Sequence, residues 1–153
     1  VDAATADIRA TLDAGAAITS YVGHGSVTTW AGETLWEPTD IAALAPGSPL
    51  TFGLALDCLN GYFAQPFYYS LAEEFLLGQN RGAIAVLAPS GLAYTWENAI
   101  FSEELFRAIF EDGQRSFGEM VQQAKIQAYE RGVSTDLLRI FTLIGDPAGR
   151  LAD

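Results

Sequence analysis

Three short apolar runs constrain the architecture more than any other feature of the chain. Residues 17–23 (Ala-Ile-Thr-Ser-Tyr-Val-Gly), 50–57 (Leu-Thr-Phe-Gly-Leu-Ala-Leu-Asp) and 82–88 (Gly-Ala-Ile-Ala-Val-Leu-Ala) are largely apolar and bounded by Gly, Pro or Asn. A run with no regularly polar face suits a strand buried on both sides, the habit of parallel sheets. Between and after these runs the apolar residues switch to helical spacing. Ser70-Leu71-Ala72-Glu73 has the spacing of a capping box and Gly78 offers a stop, predicting a helix over 71–77. Residues 97–111 carry Ile100, Phe101, Leu105, Phe106 and Ile109 on one face, which reads as core. Ser116-Phe117-Gly118-Glu119 predicts a second capping box, opening a helix that runs to about Arg131 and stops at Gly132, and residues 3–14 form another helix before Gly15. Strands alternating with helices give an α/β layer architecture around a mostly parallel sheet.

Composition narrows the function. At 153 residues, half hydrophobic and 18% charged, the chain is one modest folding unit with no repeat or linker, and it excludes a disordered tail, a collagen-like fibre and a coiled coil. A net charge of −11 repels phosphate backbones, so nucleic acid is not an expected partner. No stretch approaches the roughly 20 apolar residues of a membrane span. A single cysteine and a single histidine exclude an internal disulfide framework and a multi-cysteine zinc site.

Those two residues occupy equivalent stations. His24 follows the first run inside Gly23-His24-Gly25-Ser26, and Cys58 follows the second inside Asp57-Cys58-Leu59-Asn60-Gly61. The connection over 25–49 is long enough for a crossover, so the two strands can lie parallel and side by side, with neighbouring backbones about 4.8 Å apart. Their carboxyl ends are where open α/β sheets place ligand sites. A thiol with an ordinary pKa near 8.5 needs an adjacent base or cation to become a nucleophile at neutral pH, which is the role of His24 beside Cys58. The backbone amides of Gly25 and Cys58 are positioned to face a developing oxyanion. Strand alternation sends Asp57 to the opposite side from Cys58 and argues against it as a third catalytic member.

Tyr-Val-Gly-His-Gly-Ser-Val-Thr-Thr-Trp (21–30), Asp-Cys-Leu-Asn-Gly-Tyr-Phe (57–63), Gly-Ala-Ile-Ala-Val-Leu-Ala (82–88) and Phe-Thr-Leu-Ile-Gly-Asp-Pro-Ala (141–148) together resemble, in the right order and through most of the chain, the gingipain family of cysteine peptidases, family C25, of the clan that includes caspases, legumain and separase. The resemblance implies a caspase-like three-layer α/β sandwich, with Cys58 as nucleophile, His24 as its partner, and the amides of Gly25 and Cys58 as oxyanion hole. It further implies that Trp96 covers the primary specificity pocket, lined in part by Val22 and Leu56. The bland alternative leaves Trp96 and Trp30 as packing residues. Gly149 departs from the bulkier residue usual after Gly-Asp-Pro-Ala.

The resemblance also implies a protein or peptide substrate, no organic cofactor, and an extracellular or bacterial cell-surface location; a structural calcium ion is compatible with the acidity. The implied fold has strands before the one that ends at His24, so residues 1–153 are expected to be the C-terminal portion of a longer catalytic domain. A residue that orients His24, or reads a substrate side chain, is expected in that preceding part. The strand at 17–23 then becomes an open sheet edge able to self-associate. The leading expectation is a cysteine endopeptidase. A sortase-like transpeptidase with the same dyad, and a noncatalytic peptidase-derived binding domain, are the alternatives.

Overall fold

The structure is a computed structural model and describes residues 1–151. The chain runs α1 (Asp2–Ala14), β1 (Ile18–Val22), α2 (Pro38–Ala42), β2 (Thr51–Leu56), α3 (Leu71–Leu77), β3 (Ala83–Pro89), α4 (Thr95–Phe110), α5 (Phe117–Glu130), α6 (Thr135–Ile140) and β4 (Phe141–Gly145). The strands form one four-stranded sheet in the order β1-β2-β3-β4. The first three are parallel and β4 runs antiparallel to β3. Sequential strands that remain neighbours and parallel require a crossover each time, which the loops and helices between them supply.

Each strand faces two cores. On one side Phe52, Leu54, Leu56, Ala85 and Leu87 pack against Phe101, Leu105 and Ile109 of α4 and Met120, Val121, Ala124 and Ala128 of α5. On the other side Ala55, Ala83, Val86 and Ala88 meet Leu12 of α1, Ile41 of α2, Leu71, Ala72 and Phe75 of α3, and the loop residues Trp30 and Trp36. The result is a three-layer α/β sandwich. The runs of β2 and β3 are buried on both faces for this reason, every residue of β2 included, whereas β1, at the sheet edge, has no fully buried residue and departs from that expectation. One irregularity falls in β3, where the register against β2 slips between Thr51 and Phe52 and leaves Ile84 exposed.

The two expected capping boxes fare differently. The Ser70–Glu73 box forms as the spacing predicts: Ser70 N donates to Glu73 Oε2 at 2.8 Å and Glu73 N to Ser70 Oγ at 3.4 Å. The box expected at Ser116–Glu119 does not form, because Ser116 Oγ donates to Pro147 O at 3.1 Å and is committed to the turn after β4. That same turn explains Gly149. A Cβ there would lie 2.8–2.9 Å from the Phe117 ring, so the bulkier residue has no room where α5 begins.

One buried charge ties the helical layer together. Glu104 of α4 is fully buried and accepts from Arg107 at 2.7 Å and from Arg131, at the end of α5. Removing one partner of a buried pair usually costs about 3–5 kcal/mol, and less where the cations keep solvent contact, as both arginines do here. Glu104→Ala is therefore expected to lower stability by about 2–3 kcal/mol in denaturant titration. A loss below about 0.5 kcal/mol would show that the two guanidinium groups do not sustain this carboxylate.

Candidate active site

The register of β1 and β2 pairs Val22 with Leu56, the last residue of each strand. His24 and Cys58 both stand two residues beyond that pair. Ile18 and Phe52 are also register partners and both belong to the α4/α5 side, so the paired strand ends Val22 and Leu56 share that face. The two sequence-predicted residues thus leave the same ends of adjacent strands. His24 is exposed and Cys58 half-buried. Among the described residues no hydrogen bond joins the imidazole to the sulfur. The nearest polar partner of Cys58 Sγ is Ala93, whose amide donates to it at 3.4 Å.

Two loops meet behind these residues. The backbone carbonyl of His24 accepts from Ala31 N and from the Tyr21 hydroxyl, both at 2.8 Å, which folds residues 24–31 into a closed turn. Tyr21 stacks on Trp30 with centroids 4.7 Å apart, and Trp30 stacks in turn on Phe75. After Cys58 the chain reverses through Leu59, which takes a left-handed φ of 64°. That conformation costs a non-glycine residue roughly 1–2 kcal/mol. It brings the Asn60 carboxamide back across the site, where its Nδ2 donates to Ser26 O and to Thr29 O. Asn60 thereby clamps the nucleophile loop to the histidine turn. Sequence reading missed it; its only signal was an Asn-Gly pair directly after the cysteine turn.

Gly25 sits at the closest approach of the two loops. A Cβ at this position would fall inside the Asp57 carboxyl group and 2.9 Å from Cys58 O. Its glycine identity is a packing requirement, in addition to any role of its amide. Asp57 lies beneath this turn and is only 1% exposed. Neither of its carboxyl oxygens has a protein hydrogen-bond partner. Burial pushes its pKa up to about 8, offset only in part by its own backbone amide.

The residues implied as pocket lining are dispersed. Val22 is 68% exposed at the end of β1, Leu56 is 1% exposed within the α4/α5 core, and Trp96 is 59% exposed in the first turn of α4. Trp30 is buried packing. Around Cys58 the segments 59–70 and 90–96 carry no charged residue and expose Phe63, Phe67, Tyr68, Tyr69, Leu92 and Tyr94. They are joined at the nucleophile by Leu59 N to Gly91 O at 3.1 Å and Gly61 N to Pro89 O at 2.9 Å. Among the described residues no cluster of His, Cys, Asp and Glu has the arrangement of a metal site, and no helix is long and apolar enough to cross a membrane.

The Asp57 carboxyl makes stability pH-dependent. Its folded pKa exceeds the unfolded one, so the native state holds a proton that the unfolded chain has lost between about pH 4 and pH 8. Its contribution is fully retained below pH 4 and falls as pH rises toward 8, by roughly 4 kcal/mol at pH 7. Asp57→Asn is expected to flatten that fall. Denaturant titrations at pH 4.5 and 7.5 check it; equal differences for both proteins would show that Asp57 does not retain its proton.

Comparison with known proteins places this geometry. Residues 1–152 match Peptidase family C25. Gingipain R2 of Porphyromonas gingivalis is 25% identical over 148 residues, covering 90% of this chain and 20% of that protein; Gingipain R1 of the same organism is 25% identical, with 90% and 15% covered. Among solved structures, the Arg-specific cysteine proteinase gingipain R superposes with a TM-score of 0.85 at 23% identity, over 96% of this chain and 36% of that one. A further protease structure gives a TM-score of 0.80 at 18% identity, over 92% and 36%. The chain thus spans a fifth or less of the curated gingipains and about a third of the solved chains, with the same fold. On the match of its whole described length, the chain belongs to peptidase family C25.

Proposed function

We propose that this chain carries the nucleophile and the histidine of a cysteine endopeptidase. The observation that supports it is the β1–β2 register, which sets His24-Gly25 and Cys58 at the same strand ends with Gly25 packed against the Asp57 carboxyl group and the Cys58 carbonyl. Cys58 gives up its proton to His24, and the thiolate attacks a peptide carbonyl carbon. The carbonyl oxygen takes the negative charge and is met by the amides of Gly25 and Cys58. The intermediate collapses to a thioester as the imidazolium of His24 protonates the departing amine. Water, deprotonated by His24, then hydrolyses the thioester and restores the thiol.

The substrate in this reading is a polypeptide. In it the exposed Trp96 and Val22 are the residues left to meet substrate side chains, since Leu56 is enclosed in the α4/α5 core. The preceding part of a longer catalytic domain completes the pocket and orients His24. Export to the cell surface or medium accords with the gingipain likeness. The amide of Ala93, aimed at Cys58 Sγ, adds a fixed dipole beside the sulfur.

The test uses the full-length protein. Peptide hydrolysis is expected to fall at least roughly 10³-fold in Cys58→Ala and in His24→Ala. Iodoacetamide is expected to alkylate Cys58 well below pH 8 in the wild type. Reaction only above about pH 8, as for an unassisted thiol, would overturn the reading.

A further inference from the structure

We infer that Asp57 is a positioning residue: as a neutral carboxyl group it props the His24-Gly25 turn from below and keeps the floor under the Gly25 amide free of charge. The inference rests on the peptidase reading above and deepens it. Asp57 is buried against Gly25, while the Cys58 sulfur is met by the Ala93 amide, so the carboxyl acts on the site through Gly25.

Three observations converge on this residue. Asp57 is buried as completely as the core leucines, yet both carboxyl oxygens lack a protein partner. An acid kept in such a place with no partner beyond its own backbone amide is not explained by packing, which an apolar side chain would serve better. Next, its carboxyl group occupies the space that any Gly25 side chain would need, so the two residues define each other's position. Finally, no Arg or Lys forms an ion pair with it among the described residues. Its proton is then the compensating charge.

The surrounding groups leave the proton in control. From β1, Tyr21 faces the carboxyl, and its own pKa is raised by burial, by Asp57 and by Glu33. The turn contributes His24, which is exposed, and the adjacent loop contributes Cys58, which is half-buried. From α3, Glu73 is engaged by Ser70 N and Oγ, and Glu74 follows it. Strand β3 and residues 90–93 supply no ionisable acid or base. An oxyanion forming above the Gly25 amide would meet a second negative charge beneath it once Asp57 ionised, and like charges a few ångströms apart in a water-poor site repel strongly. Acyl transfer should therefore fail on the alkaline side while the thiolate remains available.

The experiment uses the full-length protein with Asp57→Asn, which keeps shape without ionising, and Asp57→Leu, which removes polarity. In a Cys58→Ala background labelled with ¹⁵N-glycine, the Gly25 amide shift is expected to titrate with a midpoint near 8. That step should vanish in Asp57→Asn. In the catalytic protein, kcat for peptide hydrolysis is expected to drop at least tenfold between pH 7 and 9.5 while Cys58 alkylation does not decline. Asp57→Asn should abolish that drop. Asp57→Leu, equally unable to ionise, should abolish it as well. A Gly25 amide that does not titrate, or an alkaline limb unchanged in Asp57→Asn, overturns the inference. The two readings fail separately: absent hydrolysis with a titrating Gly25 defeats the peptidase reading, and normal hydrolysis with a silent Gly25 defeats this one.

Discussion

Everything at the candidate site depends on a parallel pairing between two strands that are distant in sequence. The hydrogen-bonded register that ends at Val22 and Leu56 fixes where both loops emerge, and side-chain alternation fixes which face each strand residue takes. A slip of one residue would shift both Asp57 and Cys58 relative to Gly25. The register is held by burial on both faces, since every residue of β2 is inside. The chemistry of a loop is in this sense set by the core of a sheet.

Much of this was legible in the sequence, for physical reasons that also mark the limits. The three apolar runs became β1, β2 and β3 within about one residue at each end, because continuous apolar character bounded by Gly and Pro has few other uses. The helix at 71–77 was read to the residue since Ser70 and Glu73 satisfy each other locally. Helix α5 was found by its pattern although its expected cap failed, as Ser116 turned to Pro147 instead. The missed elements have no such local signal. Helix α2 is a single turn capped by Glu37 and Asp40 rather than by Ser or Thr. Helix α6 passes into β4 at Ile140–Phe141 without a breaker, inside an apolar stretch whose period does not separate helix from strand.

At the site itself, His24, Gly25 and Cys58 were visible as residue types in matching positions. The supports were not. Asn60 reaches Ser26 and Thr29 only because Leu59 adopts a left-handed backbone, and nothing in an Asn-Gly dipeptide announces a bond across 34 positions. Strand β2 ends at Leu56, one residue before Asp57, so alternation does not reach it, and its solitude depends on what three neighbouring elements fail to offer. An absence of partners is a property of the assembled fold.

The aromatic layer beneath the histidine turn has an optical consequence. Trp30 and Trp36 are enclosed and in ring contact with Tyr21 and Phe75, whereas Trp96 stands in solvent at the mouth of α4. Since the Tyr21 hydroxyl holds the His24 carbonyl, any movement of that turn is mechanically linked to a stacked indole. The molecule carries its own fluorophores, an enclosed pair reporting the scaffold under the histidine turn and a single exposed one reporting the surface of α4.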